Sequence, residues 1–594
     1  MTREVRLAIV AAVLVALGAI GVDVGMRVLG AASIVVAVIL VAAYVGLVVR
    51  PALIPRDGLL HVRLAGSLRE HAVVSPIQYL MGRGLFTLHH VRRALEAAAD
   101  DSYLKAVMVE IAGLEVGYAT AQELHDLLAR IRVGGKRVIA VAAGDSLTPR
   151  EYLVACGAGE IVANPDTGIM MLGVATGGVF LKQALEKLEI QAQVLQWKEY
   201  KGAGEMFSRE KMSPALRESM EALVGDWHQM LIDSVARSRK LEANRSRELL
   251  NRGFMSARGA CENGLIDRVG YAEDLRAEFD PEGEGKKIID LPRYLRHVDY
   301  ENDTGKRARI ALIHGIGPVI AGEAPRAGEF LSGEETAREI TSAAVDEDVR
   351  AIVLRVNSPG GSAVGSELVW RAVREAQSRG KPVVVSMGDV AGSGGYYVAM
   401  GADAIVAEPG TVTGSIGVLY AKFNLSGLLA RLGIGVDVVK SGEVSDALSL
   451  SRAMTEAETA QLDAMIGELY GNFTAKVAEG RKLDPERTEE LARGRVWSGL
   501  AAQSHGLVDG LGGLSRAIEV AREKAKFEPD EPHELVLYPP PYALMRFGLP
   551  FGAATRLPWG VSLTARALGI PERWAPAMID LISARTGLLL CPFF

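Results

Sequence analysis

The chain repeats itself. "GLID" at 264–267 returns as "GLVD" at 506–509, and Met212 returns as Met454, both at a separation of 242 residues. Upstream, "LKAVMVEIAG" (104–113) is matched by "VRAIVLRVNS" (349–358), and "GKRVIAVAAGD" (135–145) by "GKPVVVSMGD" (380–389). A separation held over such a distance means two homologous domains, so one fold must be completed twice. The β-branched apolar runs read as buried parallel strands, and "TAQELHDLLARIR" and "GSELVWRAVREAQ" between them as crossover helices. Strand, helix and strand in alternation predict an α/β fold with a parallel sheet in each half.

The flanks of the repeats set the domain plan. Leu7–Val22 and Val28–Val49 are uncharged, and the second run of 22 residues is long enough to cross a hydrocarbon core about 30 Å thick. Residues 1–55 are therefore expected to be a transmembrane anchor of one or two helices. A cleaved signal peptide is the competing reading, since Arg3 and Arg6 form a basic start, but two tandem apolar runs fit it poorly. A hairpin would place both flanks in the cytoplasm by the positive-inside rule, and a single crossing would place the bulk of the chain outside. The expected domains are 56–280 and 308–525. The charged, glycine-bearing stretches of 281–307 suit a linker, and 526–594 is an apolar, proline-punctuated tail.

Composition excludes several classes of function. Hydrophobic residues at 49% and charged residues at 23% match folded rather than disordered chains. A net charge of −6 offers no basic field for nucleic acid. Cys156, Cys261 and Cys591 lie far apart without metal-ligand spacing, so neither a disulfide framework nor a metal site is expected.

Chemistry is written where the repeats differ. "GDVAGSGGYYVAMGA" (388–402) aligns without a gap on "GDSLTPREYLVACGA" (144–158), which sets Ser393, among glycines, against Pro149. A strand, a small-residue turn bearing serine and then a helix is how a nucleophile is exposed. An incidental serine in a glycine-rich turn is the plain alternative. The second repeat also carries "NSPGGS" (357–362) where the first has "AGLEVG". The amide of Gly360 or Gly361, with that of Gly394, would form an oxyanion hole. A phosphate cradle is the rival, but no lysine follows in the P-loop pattern. None of the ten histidines sits in a comparably distinctive context, so lysine is the candidate base. "QWKEYKGAGEMF" (196–207) supplies Lys201, and the same separation of 242 sets it against Glu443. One half keeps a lysine without the serine and the other a serine without the lysine, the pattern left by complementary loss around a shared site.

"NSPGGS", "GDVAGSGGYYVAMGADAIVAEPGTVTGSIGV", "EYKGAGEMF", "GRVWSG" and "HGLVDGLGG" (505–513) together resemble the long, duplicated form of the signal peptide peptidase A (protease IV) family. The resemblance covers roughly residues 60–525. It implies two tandem crotonase/Clp protease-like domains behind a membrane anchor, a homotetramer, and a serine/lysine dyad that needs no cofactor or metal. Matched onto this sequence, it implies Ser393 as nucleophile, Lys201 as general base, Gly361 (or Gly360) and Gly394 as oxyanion hole, and Ser415 of "TGSIG" as the hydroxyl orienting the lysine. The implied substrates are cleaved signal peptides and other apolar extended peptides, met at a bacterial inner membrane with the catalytic domains outside the cytoplasm. Two rival readings are a crotonase-type acyl-CoA enzyme, which would need a carboxylate over the thioester, and a catalytically inactive membrane scaffold. The sequence departs from the family in having two apolar runs where one anchor is usual.

Overall fold

The computed structural model describes residues 53–70, 87–302, 307–325 and 328–538. Among the described residues no helix is long and apolar enough to cross a membrane. The expected anchor runs, 7–22 and 28–49, lie outside the described residues, as does the tail beyond 538.

The first compact unit holds the described residues of 53–174 together with those of 228–307. Its sheet has six strands in the order Ile288–Asp290, Gly58–Ser67, Leu104–Glu115, Arg137–Ala142, Glu160–Ala163, Arg268–Val269, and every neighbouring pair is parallel. Leu104–Glu115 is buried along most of its length, as a central parallel strand covered on both faces must be. Helices Leu88–Asp100 and Tyr118–Val133 pack their apolar stripes on one face, with Leu95, Leu124 and Leu128 in the same core as Val107 and Val109.

The second unit gathers Ala175–Trp227 with the described residues of 308–538. Its eight-stranded sheet repeats the pattern: His533–Tyr538, Ala308–Ile316, Val349–Ser358, Val383–Gly392, Ala404–Ala407 and Gly510–Leu511 are neighbours in that order, all parallel. Val412–Gly414 also pairs with the end of Val383–Gly392 and carries the antiparallel Val496–Ser498 at its outer edge.

The duplication extends to individual hydrogen bonds. The Tyr152 hydroxyl donates to the Leu265 carbonyl at 2.6 Å, and the Tyr396 hydroxyl to that of Leu507 at 2.9 Å. Asp267 accepts from the Ile161 amide and pairs with Arg239, while Asp509 accepts from the Ile405 amide and pairs with Arg481. These bonds pin the strand after the nucleophile-position helix to the C-terminal end of each repeat, which is why "GLID" and "GLVD" recur.

Three expected boundaries differ from the structure. The stretch 281–307, read as a linker, contains an edge strand of the first sheet and the helix Leu291–Asn302, whose Leu291, Tyr294, Leu295 and Val298 are buried in the first core. That spacing is the apolar stripe of an amphipathic helix, masked in the sequence by its charged neighbours. Likewise His533–Tyr538, placed in the tail, completes the second sheet. Most consequentially, 175–227, read as part of the first domain, belongs to the second unit, because strand Gln191–Gln196 pairs antiparallel with Leu419–Asn424.

Candidate active site

Strand Val383–Gly392 runs to Gly392, the chain turns at Ser393, and helix Gly394–Ala399 begins at once. Ser393 takes φ 53° and ψ −118°, a strained backbone for a residue with a Cβ. The Ser393 amide donates to the Gly414 carbonyl at 2.9 Å, and the Tyr397 amide to the Ser393 carbonyl at 2.9 Å, so the turn is fixed on both sides. The strain presents Oγ at the head of the helix, the geometry of a nucleophile elbow.

The "SPGG" turn packs against it. Gly360 and Gly361 hold φ of 100° and 146°, values that side chains rarely adopt. A Cβ at Gly360 would lie 2.6 Å from the Gly394 nitrogen and 2.7 Å from the Ser393 Cβ, and one at Gly361 would collide with the Val319 carbonyl. Only glycine lets these backbones meet. The Gly360 N–H donates to the Ser358 hydroxyl at 3.2 Å, so that amide is already engaged. Gly361 and Gly394 lie close together, since a Cβ at Gly394 would stand 3.1 Å from the Gly361 nitrogen.

Lys201 reaches this point from the segment 175–227. Trp197 anchors the approach: its amide donates to the Val418 carbonyl at 3.0 Å, its indole N–H donates to the Asp463 carbonyl at 3.2 Å, and its ring stacks on Tyr470. Lys201 sits at the centre of a tight turn, φ −75° and ψ 62°, closed by the Gly202 amide on the Tyr200 carbonyl at 2.7 Å. These are inverse γ-turn values. Beyond it, Ser219 bonds the Val496 carbonyl and the Trp227 indole N–H donates to the Gly410 carbonyl at 2.8 Å.

The lysine is 5% exposed, and its Nζ lies 2.9 Å from Ser393 Oγ, 2.8 Å from the Ser415 carbonyl and 3.0 Å from Ser415 Oγ. Ser415 is itself held at φ 50°, with its amide on the Arg495 carbonyl at 2.7 Å. The structure thus brings Ser393, Lys201, Ser415, Gly361 and Gly394 to one place, with Gly360 packed behind the turn.

Two residues that sequence reasoning missed make room for the lysine. A Cβ at Gly494, whose φ is 83°, would stand 2.5 Å from the Lys201 Cβ and 2.6 Å from its Cα. One at Gly417 would stand 3.1 Å from the Lys201 Cδ. Gly494 opens "GRVWSG" and Gly417 closes "TGSIG", so both motifs were visible while their common neighbour was not.

A buried lysine against a serine on a strained strand-to-helix turn, beside a backbone that can present two amides, is the constellation of a serine-type peptidase. The chain belongs to peptidase family S49, whose pattern it matches twice, over residues 131–284 and 375–528. It is 31% identical to Protease 4 of Salmonella typhi over 74% of this chain and 72% of that protein. It is also 31% identical to the chloroplastic serine protease SPPA of Arabidopsis thaliana, over 72% of this chain and 64% of that one. A shorter match, 35% identical over 30% of this chain and 53% of the relative, is to a putative signal peptide peptidase SppA of Enterococcus faecium.

Proposed function

We propose that the chain is a serine endopeptidase of crotonase/Clp protease type in which Ser393 is the nucleophile and Lys201 the general base. The observation that carries this reading is the 2.9 Å approach of Lys201 Nζ to Ser393 Oγ in a buried setting. A neutral amine has two N–H groups and one lone pair. The Ser415 carbonyl can only accept, so it takes one N–H. The Ser415 hydroxyl accepts the other and leaves the lone pair for the Ser393 O–H. Ser415 therefore orients the base in the form that catalysis needs. Burial supports that form, because desolvation disfavours the ammonium and free lysine titrates near 10.4.

In the proposed reaction Ser393 Oγ attacks the peptide carbonyl while its proton passes to Lys201. The oxyanion is received by the N–H groups of Gly361 and Gly394, since that of Gly360 is spent on Ser358. The Lys201 ammonium then protonates the leaving amine, and water, activated by the same lysine, releases the acyl group from Ser393. No step requires a cofactor.

The substrates we propose are cleaved signal peptides and similar apolar extended peptides, met at a bacterial inner membrane by a homo-oligomer, a tetramer on the family pattern, whose catalytic domains lie outside the cytoplasm. The apolar runs 7–22 and 28–49 and the name of the Enterococcus relative support this. The test is covalent labelling of the purified protein with a fluorophosphonate, followed by peptide mapping. Label on Ser393 that is lost in Lys201→Ala is the expected result; label elsewhere, or on Ser393 regardless of Lys201, overturns the dyad.

A further inference from the structure

Lys201 and Ser415 are held by the same three residues. The Arg493 carbonyl accepts from the Tyr200 amide at 3.1 Å, the Gly494 amide donates to the Ile416 carbonyl at 2.8 Å, and the Arg495 carbonyl accepts from the Ser415 amide at 2.7 Å. Residues 493–495 are therefore a bracket, fastened at one end beside the base and at the other to the serine that orients it. Gly494 lies against the Lys201 backbone between the two fastenings.

The bracket has a backbone that needs support. Helix Pro485–Leu491 ends at Ala492, and Arg493 and Gly494 then take φ of 53° and 83°. Glycine adopts such values freely, whereas Arg493 carries a Cβ that disfavours them. Its amide donates to the hydroxyl of Tyr470 at 3.2 Å. Tyr470, on helix Glu456–Arg481, is 5% exposed, stacks on Trp197 and donates its own O–H to the Glu489 carboxylate at 2.6 Å. One hydroxyl supplies both bonds, as donor to Glu489 and as acceptor for Arg493. Burial, and then the bond to Glu489, push its ionisation above the ordinary tyrosine value, so the proton stays on the oxygen. Two ion pairs span the same segments, Lys198 with Glu489 and Glu199 with Arg493, but all four side chains are more than a third exposed. Such pairs are weak and screened by salt, which leaves the buried hydroxyl as the firm tie.

The first repeat shows the same place without a lysine to hold. Helix Pro214–Arg239 corresponds to Glu456–Arg481 at the separation of 242 residues, which sets His228 against Tyr470 and Asn251 against Arg493. Asn251 has φ −104°, and its amide returns to the Arg247 and Glu248 carbonyls of its own helix. The left-handed turn and the tyrosine occur together, in the repeat where Lys201 is lodged.

We infer that Tyr470 is a positioning residue for the general base: its hydroxyl fixes Arg493 in the left-handed conformation, and the bracket 493–495 thereby keeps Lys201 Nζ against Ser393 Oγ and Ser415. The inference rests on the serine/lysine reading proposed above and adds to it a residue that touches neither member of the dyad by hydrogen bond. Without the hydroxyl the Arg493 amide loses its partner, φ relaxes to negative values, and the Arg493 and Arg495 carbonyls swing away from Tyr200 and Ser415.

The test is Tyr470→Phe in the full chain in detergent, which keeps the ring on Trp197 and removes only the hydroxyl. The expected result is a loss of about tenfold or more in kcat for a slowly cleaved peptide, with KM within about twofold of wild type. The apparent pKa of kcat/KM should rise by roughly half a pH unit or more, because a lysine released from its slot regains water and its ammonium is favoured. Arg493→Gly added to Tyr470→Phe should recover kcat by about threefold or more, since glycine takes φ 53° without a pin. A kcat within about twofold of wild type overturns the inference. So does a loss with the apparent pKa unmoved, without recovery by Arg493→Gly, or with the folded state gone in a thermal melt, since each assigns Tyr470 to the core alone. The dyad is read separately, by fluorophosphonate label on Ser393 that is lost in Lys201→Ala, so the inference can fail while the dyad stands.

Discussion

Lys201 Nζ stands 2.9 Å from Ser393 Oγ, and the two residues come from different halves of a duplicated chain yet lie in one compact unit. The contact forms because strand Gln191–Gln196 leaves the first repeat's own sheet and pairs with Leu419–Asn424 of the second. On the proposed mechanism, a lysine in one repeat only and a serine in the other only still furnish a single site with both.

A site that works as a unit has a signature in mutant kinetics. Ser393→Ala and Lys201→Ala should each lower kcat for peptide hydrolysis by at least about 10⁴-fold, and the double variant should be no worse than the poorer single one. Far-ultraviolet circular dichroism should be unchanged. A double variant far below either single one would mean that the two residues act independently.

The pH profile follows from the same contact. If Lys201 must be neutral, kcat/KM rises with pH as the ammonium is lost, and burial, which withdraws the ammonium from water, should bring the apparent pKa below the 10.4 of free lysine. Activity is then low at pH 5 and reaches a plateau on the alkaline side. Measurement with a slowly cleaved peptide, for which chemistry limits the rate, checks this; a profile flat from pH 6 to 9 contradicts it.

Gly494 gives a test of positioning rather than of chemistry. A methyl group there would overlap the Lys201 backbone at a φ of 83°, so Gly494→Ala must push the lysine away from Ser393. A displacement of about 1 Å costs on the order of 10²-fold in rate. The expected outcome is that loss in kcat with KM little changed and with the core transition intact in a thermal melt. A rate within twofold of wild type would show that the turn at Lys201 yields without moving Nζ.

The sequence made the serine and lysine legible by subtraction: Ser393 stood against Pro149 in an otherwise gapless alignment. The duplicated parallel sheets were equally visible, because strands such as Val349–Ser358 and Val383–Gly392 carry apolar runs, 351–354 and 383–385. What stayed hidden was non-local. "QAQVLQ" reads as a strand, but nothing in it names Leu419–Asn424 as its partner. Nothing in "GRVWSG" or "TGSIG" marks Gly494 or Gly417 as a neighbour of Lys201, because the side chain that they accommodate is remote in sequence. The expected linker differs from the structure for a local reason, as the charged "EGEGKK" conceals the short strand Ile288–Asp290 that follows it.

Stability carries its own pH dependence, away from the site. Burial, and then the neighbouring carboxylate of Glu335 one helical turn earlier, push the Glu339 carboxyl up to about 8. The unfolded value is near 4.5. The folded state therefore holds a proton that the unfolded state releases, and stability falls as pH rises between these values. Glu339→Gln should flatten that decline, raising the urea midpoint at pH 9 more than at pH 5. An equal shift at both values would mean that Glu339 does not titrate in this range.

Complementation between inactive chains distinguishes a site built within one chain from one built across two. In the structure Lys201 and Ser393 of the same chain are in contact, and the segment carrying the lysine is tied to the unit carrying the serine by Trp197, Ser219 and Trp227. Those ties keep the lysine at high effective concentration beside its own serine. When Ser393→Ala chains are mixed with Lys201→Ala chains and allowed to exchange, every site then lacks one partner, and activity should stay at the sum of the two backgrounds. Exchange itself must be verified by native mass with one population isotopically heavy. A site shared between chains predicts the opposite: in a fully mixed assembly about a quarter of the sites would regain both residues, because each is drawn independently from an even mixture. Recovery of that order would place the working lysine on a neighbouring chain and would make the 2.9 Å contact within one chain irrelevant to turnover.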